Sequence, residues 1–129
     1  MSVQEKLRVL VVDDHISSRM VTVEAMGSLG IANVNVAKDG REAFGALTSS
    51  PVHLIVTDIY MPDIDGFQLV KAVRAHPKLN RTGVIIVTGK KDSRTIQLAK
   101  QFGVNNVLGK PFSIPELKGA IESVVGKLA

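Results

Sequence analysis

The chain reads as an α/β protein built on a doubly wound parallel sheet, five strands each followed by a helix. Two observations carry that reading. Apolar runs of five to six residues alternate with segments of helical period, which is the signature of repeated βαβ units. Three of the runs, 7–12, 52–57 and 84–88, are almost uninterrupted Val, Ile and Leu, as strands covered by helices on both faces are.

The first strand, Leu7 to Val12, runs into Asp13-Asp14. A helix is expected after Ser17 or Ser18, with Met20, Val21, Val23, Ala25 and Leu29 as its apolar positions and Gly30 as its stop. Asn33 to Ala37 is shorter and more polar, so it reads as an edge strand. The second helix, from about Arg41, carries Ala43, Phe44 and Leu47 and breaks at Ser49-Ser50-Pro51. The third strand ends at Thr57 and meets Asp58, and the third helix follows Gly66, which is read as supplying an unusual backbone angle, and ends by Pro77. Val84 to Val87 leads to Thr88, and a fourth helix starts near Asp92 or Ser93 and closes at Gly103. Asn105 to Leu108 is the second edge strand, followed through Gly109 by Lys110-Pro111. Ser113 with Glu116 three residues later marks the last helix with a capping box. Right-handed crossovers combined with these two edges leave 2-1-3-4-5 as the simplest strand order.

With 129 residues the expected organisation is one domain, 1–129, and no linker, repeat or low-complexity stretch points to a fused effector. Hydrophobic residues at 45% and charged residues at 22% match a globular composition. No apolar run approaches the roughly 20 residues of a membrane span, and the N-terminus has no signal-peptide core, so the cytoplasm is the expected compartment. Zero cysteines exclude a disulfide framework and thiolate metal sites. The net charge of +4 is scattered, with no run of like charge longer than two residues. No nucleic-acid-binding motif accompanies it, so neither nucleic acid nor membrane is an expected partner.

Ligands of open parallel sheets bind at the carboxyl ends of the strands, where Asp13, Asp14, Asp58, Thr88 and Lys110 should meet. Three carboxylates in one crevice repel one another and call for a cation. Oxygen donors without His or Cys spacing favour Mg2+, which retains waters and leaves room for phosphate oxygens. Lys110 adds a compact positive charge and Thr88 a hydroxyl donor, a pair suited to phosphoryl oxygens. A carboxylate can itself be the nucleophile, and Asp58, alone at the end of a central strand, is the choice here. Taken singly each residue has an ordinary explanation, as a helix cap, a strand end or a surface cation. Only their joint placement makes a site. The histidines, His15, His53 and His76, show no metal-ligand spacing and read as surface or loop residues, with an approach of His15 to the site from the first loop as the alternative for that one. Asp63 to Gly66 is no EF-hand, because Met61 and Ala72 stand at its first and twelfth positions. Nor do glycines follow the first strand, as a dinucleotide fold requires.

Asp13-Asp14, Asp58 with Met61-Pro62 and Asp65-Gly66, Val87-Thr88-Gly89, and Lys110-Pro111-Phe112 together resemble the receiver domain of two-component response regulators, over essentially the whole chain. The form it most resembles is a stand-alone receiver of the CheY-like, flavodoxin-like type. That resemblance itself carries the 2-1-3-4-5 order, which is therefore not an independent result of the edge argument. It implies that Asp58 takes phosphate from a CheA-like histidine kinase. It further implies that Asp14, Asp58 and the Tyr60 carbonyl ligate Mg2+ with Asp13 acting through water, that Thr88 and Lys110 hold the phosphoryl oxygens, and that the Lys110-Pro111 bond is cis. The implied activity is a switch of protein interactions on the fourth helix, fifth strand and fifth helix, not turnover. The implied output partner is a flagellar motor switch protein or another output protein, with the chain a monomer. A phosphate sink, or an intermediate in another phosphorelay, is the alternative. A haloacid-dehalogenase-type hydrolase needs a second Asp two residues after its nucleophile, and Tyr60 stands there. The family's aromatic switch position is Val107, so its usual threonine–aromatic coupling cannot operate. Tyr60 and Lys90 fall where the family controls access of the attacking water.

Overall fold

The computed structural model describes residues 2–128. Five parallel strands, β1 (Val9–Val12), β2 (Val34–Ala37), β3 (Leu54–Thr57), β4 (Gly83–Thr88) and β5 (Asn106–Gly109), form one sheet in the order β2-β1-β3-β4-β5. The expected order and both expected edges are those observed. Six helices accompany them: α1 (Val3–Lys6), α2 (Ile16–Ser28), α3 (Gly40–Ser49), α4 (Gly66–Ala75), α5 (Ser93–Phe102) and α6 (Ile114–Val125).

Side chains alternate across each strand, so the buried runs feed two layers. Val9 and Val11, Leu54 and Val56, and Ile85 and Val87 pack with Ala25 and Met26 of α2 and Leu117 and Ile121 of α6. On the opposite face Leu10, Val12, Ile55 and Val84 meet Ala43 and Leu47 of α3 and Leu69, Val70 and Val73 of α4. Each such side chain, fully buried, stabilises the fold by about 1.5–3 kcal/mol. A smaller cluster, Ile59, Ile86, Ala99 and Val107, with Phe67 and Val104 against it, joins β4 and β5 to α5.

Except at α2, whose N-cap His15 makes no side-chain cap bond, helix starts are fixed by side-chain caps. Ser113 and Glu116 form the expected capping box, Asp92 caps α5, and Asp65 with Gln68 forms a further capping box on α4. Gly103, at φ 82°, closes α5 in the left-handed region. Arg74 of α4 ties the two loops that flank β4 by donating to the carbonyls of Thr82 (2.6 Å), Asn80 (3.1 Å) and Gly103 (2.9 Å). Burial pulls its guanidinium below the ordinary value.

Four local expectations are corrected. Residues 7 and 8 are not strand, because a capping box at Ser2 nucleates α1 and Leu7 is its C-cap. Helix α2 begins earlier, at Ile16, and its buried face is Thr22, Ala25 and Met26, while Met20 and Val21 are more than half exposed. Val52 precedes β3 and packs from outside it. Gly66 does not have a positive φ. A side chain there would overlap the Asp58 carbonyl oxygen and stand 3.0 Å from the Ile59 Cα, so close approach, not backbone angle, requires glycine. The positive φ of that loop belongs to Asp63, at 64°.

Candidate functional site

Sheet register sets the site. Val12 aligns with Thr57 across β1 and β3, so the next residues, Asp13 and Asp58, emerge side by side, and the Asp58 N–H donates to the Val12 carbonyl at 3.0 Å. Thr88 aligns with Gly109 across β4 and β5, which places Lys110 one step beyond the sheet edge. Its peptide bond to Pro111 is cis.

The Lys110 side chain reaches the carboxylates. Its Nζ lies 3.3 Å from Asp13 Oδ2 and 3.3 Å from Asp58 Oδ2, and donates to Ser18 Oγ at 2.9 Å. The two carboxylates are nearly buried, with side chains 5% and 12% exposed. An ammonium between them offsets the repulsion that burial would otherwise magnify, and removing one partner of such a pair costs about 3–5 kcal/mol. The remaining oxygens are fixed by backbone: Asp58 Oδ1 accepts from the Ile59 N–H at 2.8 Å, and Asp13 Oδ1 from the His15 N–H at 3.0 Å. Burial acts to raise the Asp13 carboxyl, but the bonds from Ser18 and His15 and the Lys110 charge outweigh it and hold the group below the ordinary carboxylate range.

Asp14 is placed differently. Its Oδ1 is buried and has no hydrogen-bond partner, although His15 Nδ1 lies 3.1 Å away. The two observations are compatible, since proximity sufficient for an ion pair does not guarantee hydrogen-bond geometry. Asp13, Asp14, His15 and Asp58 each present a ligand atom, and these atoms lie within 4.8 Å of one another. An orphaned carboxylate oxygen in this company fits a divalent cation.

Thr88 is fully buried at the end of β4, and its Oγ1 accepts from the Lys90 N–H at 3.1 Å, which leaves the hydroxyl hydrogen to donate. Among the described residues, no bond joins it to the carboxylates. Tyr60 is 62% exposed and borders a cavity of about 300 Å3 with Lys90, Arg94 and Phe67. Val107 is buried in the small cluster under β5. The structure thus brings together Asp13, Asp14, Asp58 and Lys110, with Thr88 and Tyr60 at the margins.

Two contributors escaped the sequence reading: Ser18 anchors the lysine, and Arg19 donates to the Asp13 carbonyl at 2.8 Å. His15, read first as a surface residue, faces Asp14, the alternative considered for it. Helix side chains lean toward the N-terminus, so first-turn residues of a helix leaving a strand end point back at that end. The position of Ser18 was therefore a usable sign.

The strand order, with carboxylates gathered at the carboxyl edge beside the central strands, defines a flavodoxin-like α/β domain with an acidic ligand cleft. Residues 9–122 match the response regulator receiver domain, and the chain belongs to that family of signalling domains. It is 41% identical over 128 residues to the "Probable chemotaxis protein CheY" of Rhizobium etli, covering 99% of each chain. It is 36% identical over 118 residues to the chemotaxis protein CheY of Pseudomonas aeruginosa, covering 92% of this chain and 95% of that one. Among solved structures, chemotaxis protein CheY4 of Vibrio cholerae superposes with a TM-score of 0.85 at 32% identity, covering 92% of this chain and 98% of that one.

Proposed function

We infer that the chain acts as a stand-alone, single-domain cytoplasmic response regulator in chemotaxis, accepting phosphate on Asp58 from a histidine kinase and thereby changing its affinity for an output protein, the flagellar motor switch. The observation that carries this is the Asp58 carboxylate, one oxygen fixed by the Ile59 N–H and the other facing Lys110 beside Asp13. An oxygen of Asp58 attacks the phosphorus of a phosphohistidine. A P–O bond forms while the P–N bond breaks, and its electron pair stays on the imidazole nitrogen. When bound, Mg2+ would be held by Asp14, Asp58 and the Tyr60 carbonyl beside Asp13, and would supply charge neutralisation at the phosphoryl oxygens. Lys110 leaves the carboxylates for the incoming oxygens, and the free hydrogen of the Thr88 hydroxyl supports a second donor role there.

The same residues support one phosphorylation per chain followed by hydrolysis, not turnover. Exposed Tyr60, beside the acceptor, screens the acyl phosphate from water. Tyr60→Ala is therefore expected to shorten the phosphoryl lifetime severalfold, and an unchanged decay rate rules the screen out. The principal test is phosphotransfer from a panel of histidine kinases to the chain and to Asp58→Asn. Labelling confined to the unaltered chain supports the reading. Label retained by Asp58→Asn, or many equivalents of a small phosphoester consumed per chain, refutes it. Pull-down of motor switch protein that does not respond to an acyl-phosphate mimic would refute the output assignment alone.

A further inference from the structure

Lys110 is held at both ends of its stem. Its backbone N–H donates to the Thr88 carbonyl at 2.8 Å, and its Nζ, with three donors to place, meets Ser18 Oγ at 2.9 Å and Asp13 Oδ2 and Asp58 Oδ2 at 3.3 Å each. The neutral hydroxyl is the nearest of the three. An ammonium bonded to a carboxylate usually stands about 2.7–2.9 Å from its oxygen, so the serine, and neither charge, sets where the head of the lysine lies. The hydroxyl has a second bond. Burial acts to raise the Asp13 carboxyl, and a bond from the Ser18 side chain is the largest of those that outweigh it. A carboxylate only accepts, so Ser18 accepts from Lys110 and donates to Asp13.

A helix-capping role does not account for this serine. The N-cap of α2 is His15, and Ser18 stands at the third helical position, where serine is a weaker helix former than alanine. Beside it lies a cavity of about 300 Å3 with Val21, Pro111 and Phe112 in its wall. The acceptor reading given above, on which this inference rests, takes away one partner of the lysine. As the P–O bond forms, negative charge passes from the Asp58 carboxylate to the phosphoryl oxygens, and Nζ exchanges Asp58 Oδ2 for one of them. Ser18 is untouched by the reaction. We propose that Ser18 is a positioning residue for phosphoryl transfer, a fixed pivot on which Lys110 swings from the Asp58 carboxylate to the incoming phosphoryl oxygen. The ammonium keeps its protons throughout, and only one of its donors changes partner. A flexible four-carbon stem tied at base and tip has little further freedom to lose in that exchange.

The test is rapid-quench labelling of the full chain by acetyl phosphate with Mg2+, with Ser18→Ala and Ser18→Thr alone and with Ser18→Ala in the Lys110→Met background. Alanine suits a first helical turn, so the variant folds. Loss of one hydrogen bond to a charged group slows Ser18→Ala about 10-fold or more. Ser18→Thr keeps the hydroxyl and has the neighbouring cavity for its methyl, so it labels within about twofold of the unaltered chain. Without the lysine the serine has nothing to position, and Ser18→Ala then changes the Lys110→Met rate by less than about twofold. A purely structural cost would slow both backgrounds equally. That result, an unchanged or faster rate in Ser18→Ala, or a threonine variant as slow as the alanine overturns the proposal. Asp58→Asn tests the acceptor separately, since label retained there refutes the acceptor, whereas failure of the pivot leaves it standing.

Discussion

The two halves of the sheet's carboxyl edge are held in opposite ways. At the β1–β3 half every oxygen of Asp13 and Asp58 faces a donor, from the His15 and Ile59 backbone or from Lys110, and Arg19 secures the Asp13 carbonyl as well. At the β4–β5 half the Thr88 hydroxyl has one bond, from the Lys90 N–H, and Val107 borders a cavity of about 230 Å3 lined by Ile96, Ala99 and Val104. Bond formation needs reacting atoms held to within a fraction of an ångström. A change of surface needs an element that can take up more than one packing. The molecule is tight where chemistry is proposed and loose where its consequence would be read. Ile59 joins the halves, since its N–H holds Asp58 and its side chain packs in the cluster with Val107.

The largest effect should follow from cutting the tie at the tight half. Lys110→Met keeps the length of the stem and removes the charge, leaving two nearly buried carboxylates without their shared cation. Phosphotransfer to Asp58 is expected to fall about 10²–10³-fold, the usual cost of deleting one preorganised donor. Rapid-quench labelling measures it, and a rate within threefold of the unaltered chain would mean that this half is not organised around the lysine.

Next comes Gly66→Ala. The added methyl meets the Asp58 carbonyl oxygen and the Ile59 Cα, backbone atoms that cannot rotate away. The expected cost is about 2–3 kcal/mol, read as a lower urea midpoint at unchanged slope. If the midpoint held, the joint between β3 and α4 would be softer than the contacts indicate.

How far the sequence disclosed all this differs by element. Strands β1, β3 and β4 and both edges were legible because burial on two faces writes an unbroken apolar run, and the site was legible because its residues follow those runs directly. Helix α2 was not. Its first two turns place Met20 and Val21 in solvent and Thr22 in the core, where the threonine hydroxyl returns to the Ser18 carbonyl at 3.3 Å, so hydropathy pointed to the wrong face. Helix α1, Val3–Lys6, is too short to show a period, and no element was expected before the strand read from Leu7. Gly66 was noticed for the wrong reason, since a crowded glycine and a left-handed glycine look alike in sequence. Ser18 was legible only as a first-turn helix residue leaning back toward the strand end, and the closeness of His15 to Asp14 is a distance that no spacing rule encodes.

A smaller effect, on acid stability, tests the tight half from another direction. The folded Asp13 carboxyl sits below its ordinary value of 3.8, so the folded state binds its proton less readily than the unfolded chain does. That contribution is complete above the unfolded pKa and is lost as pH falls through the folded one. Urea midpoints should hold steady from pH 7 to about 5 and fall below about 4, with part of the acid limb flattened in Asp13→Asn. The carboxylates at the N-terminal ends of α5 and α6, Asp92 and Glu116, lowered chiefly by the backbone bonds at their helix caps, add to the same limb and will survive that substitution.

The smallest effect should come from the largest added side chain. Val107→Phe puts a ring where the family keeps an aromatic, on a strand whose outer face borders that cavity beside Lys91 and Lys100. Added bulk in a sealed core costs about 1–3 kcal/mol. Here the ring has open space on one side, so the expected loss is about 1 kcal/mol or less, below that of the single methyl at Gly66. The two urea midpoints, measured side by side, decide the matter. If Phe at 107 destabilises more than Ala at 66, the β4–β5 half is packed as firmly as its neighbour, and the proposed division between a fixed acceptor and a yielding readout fails.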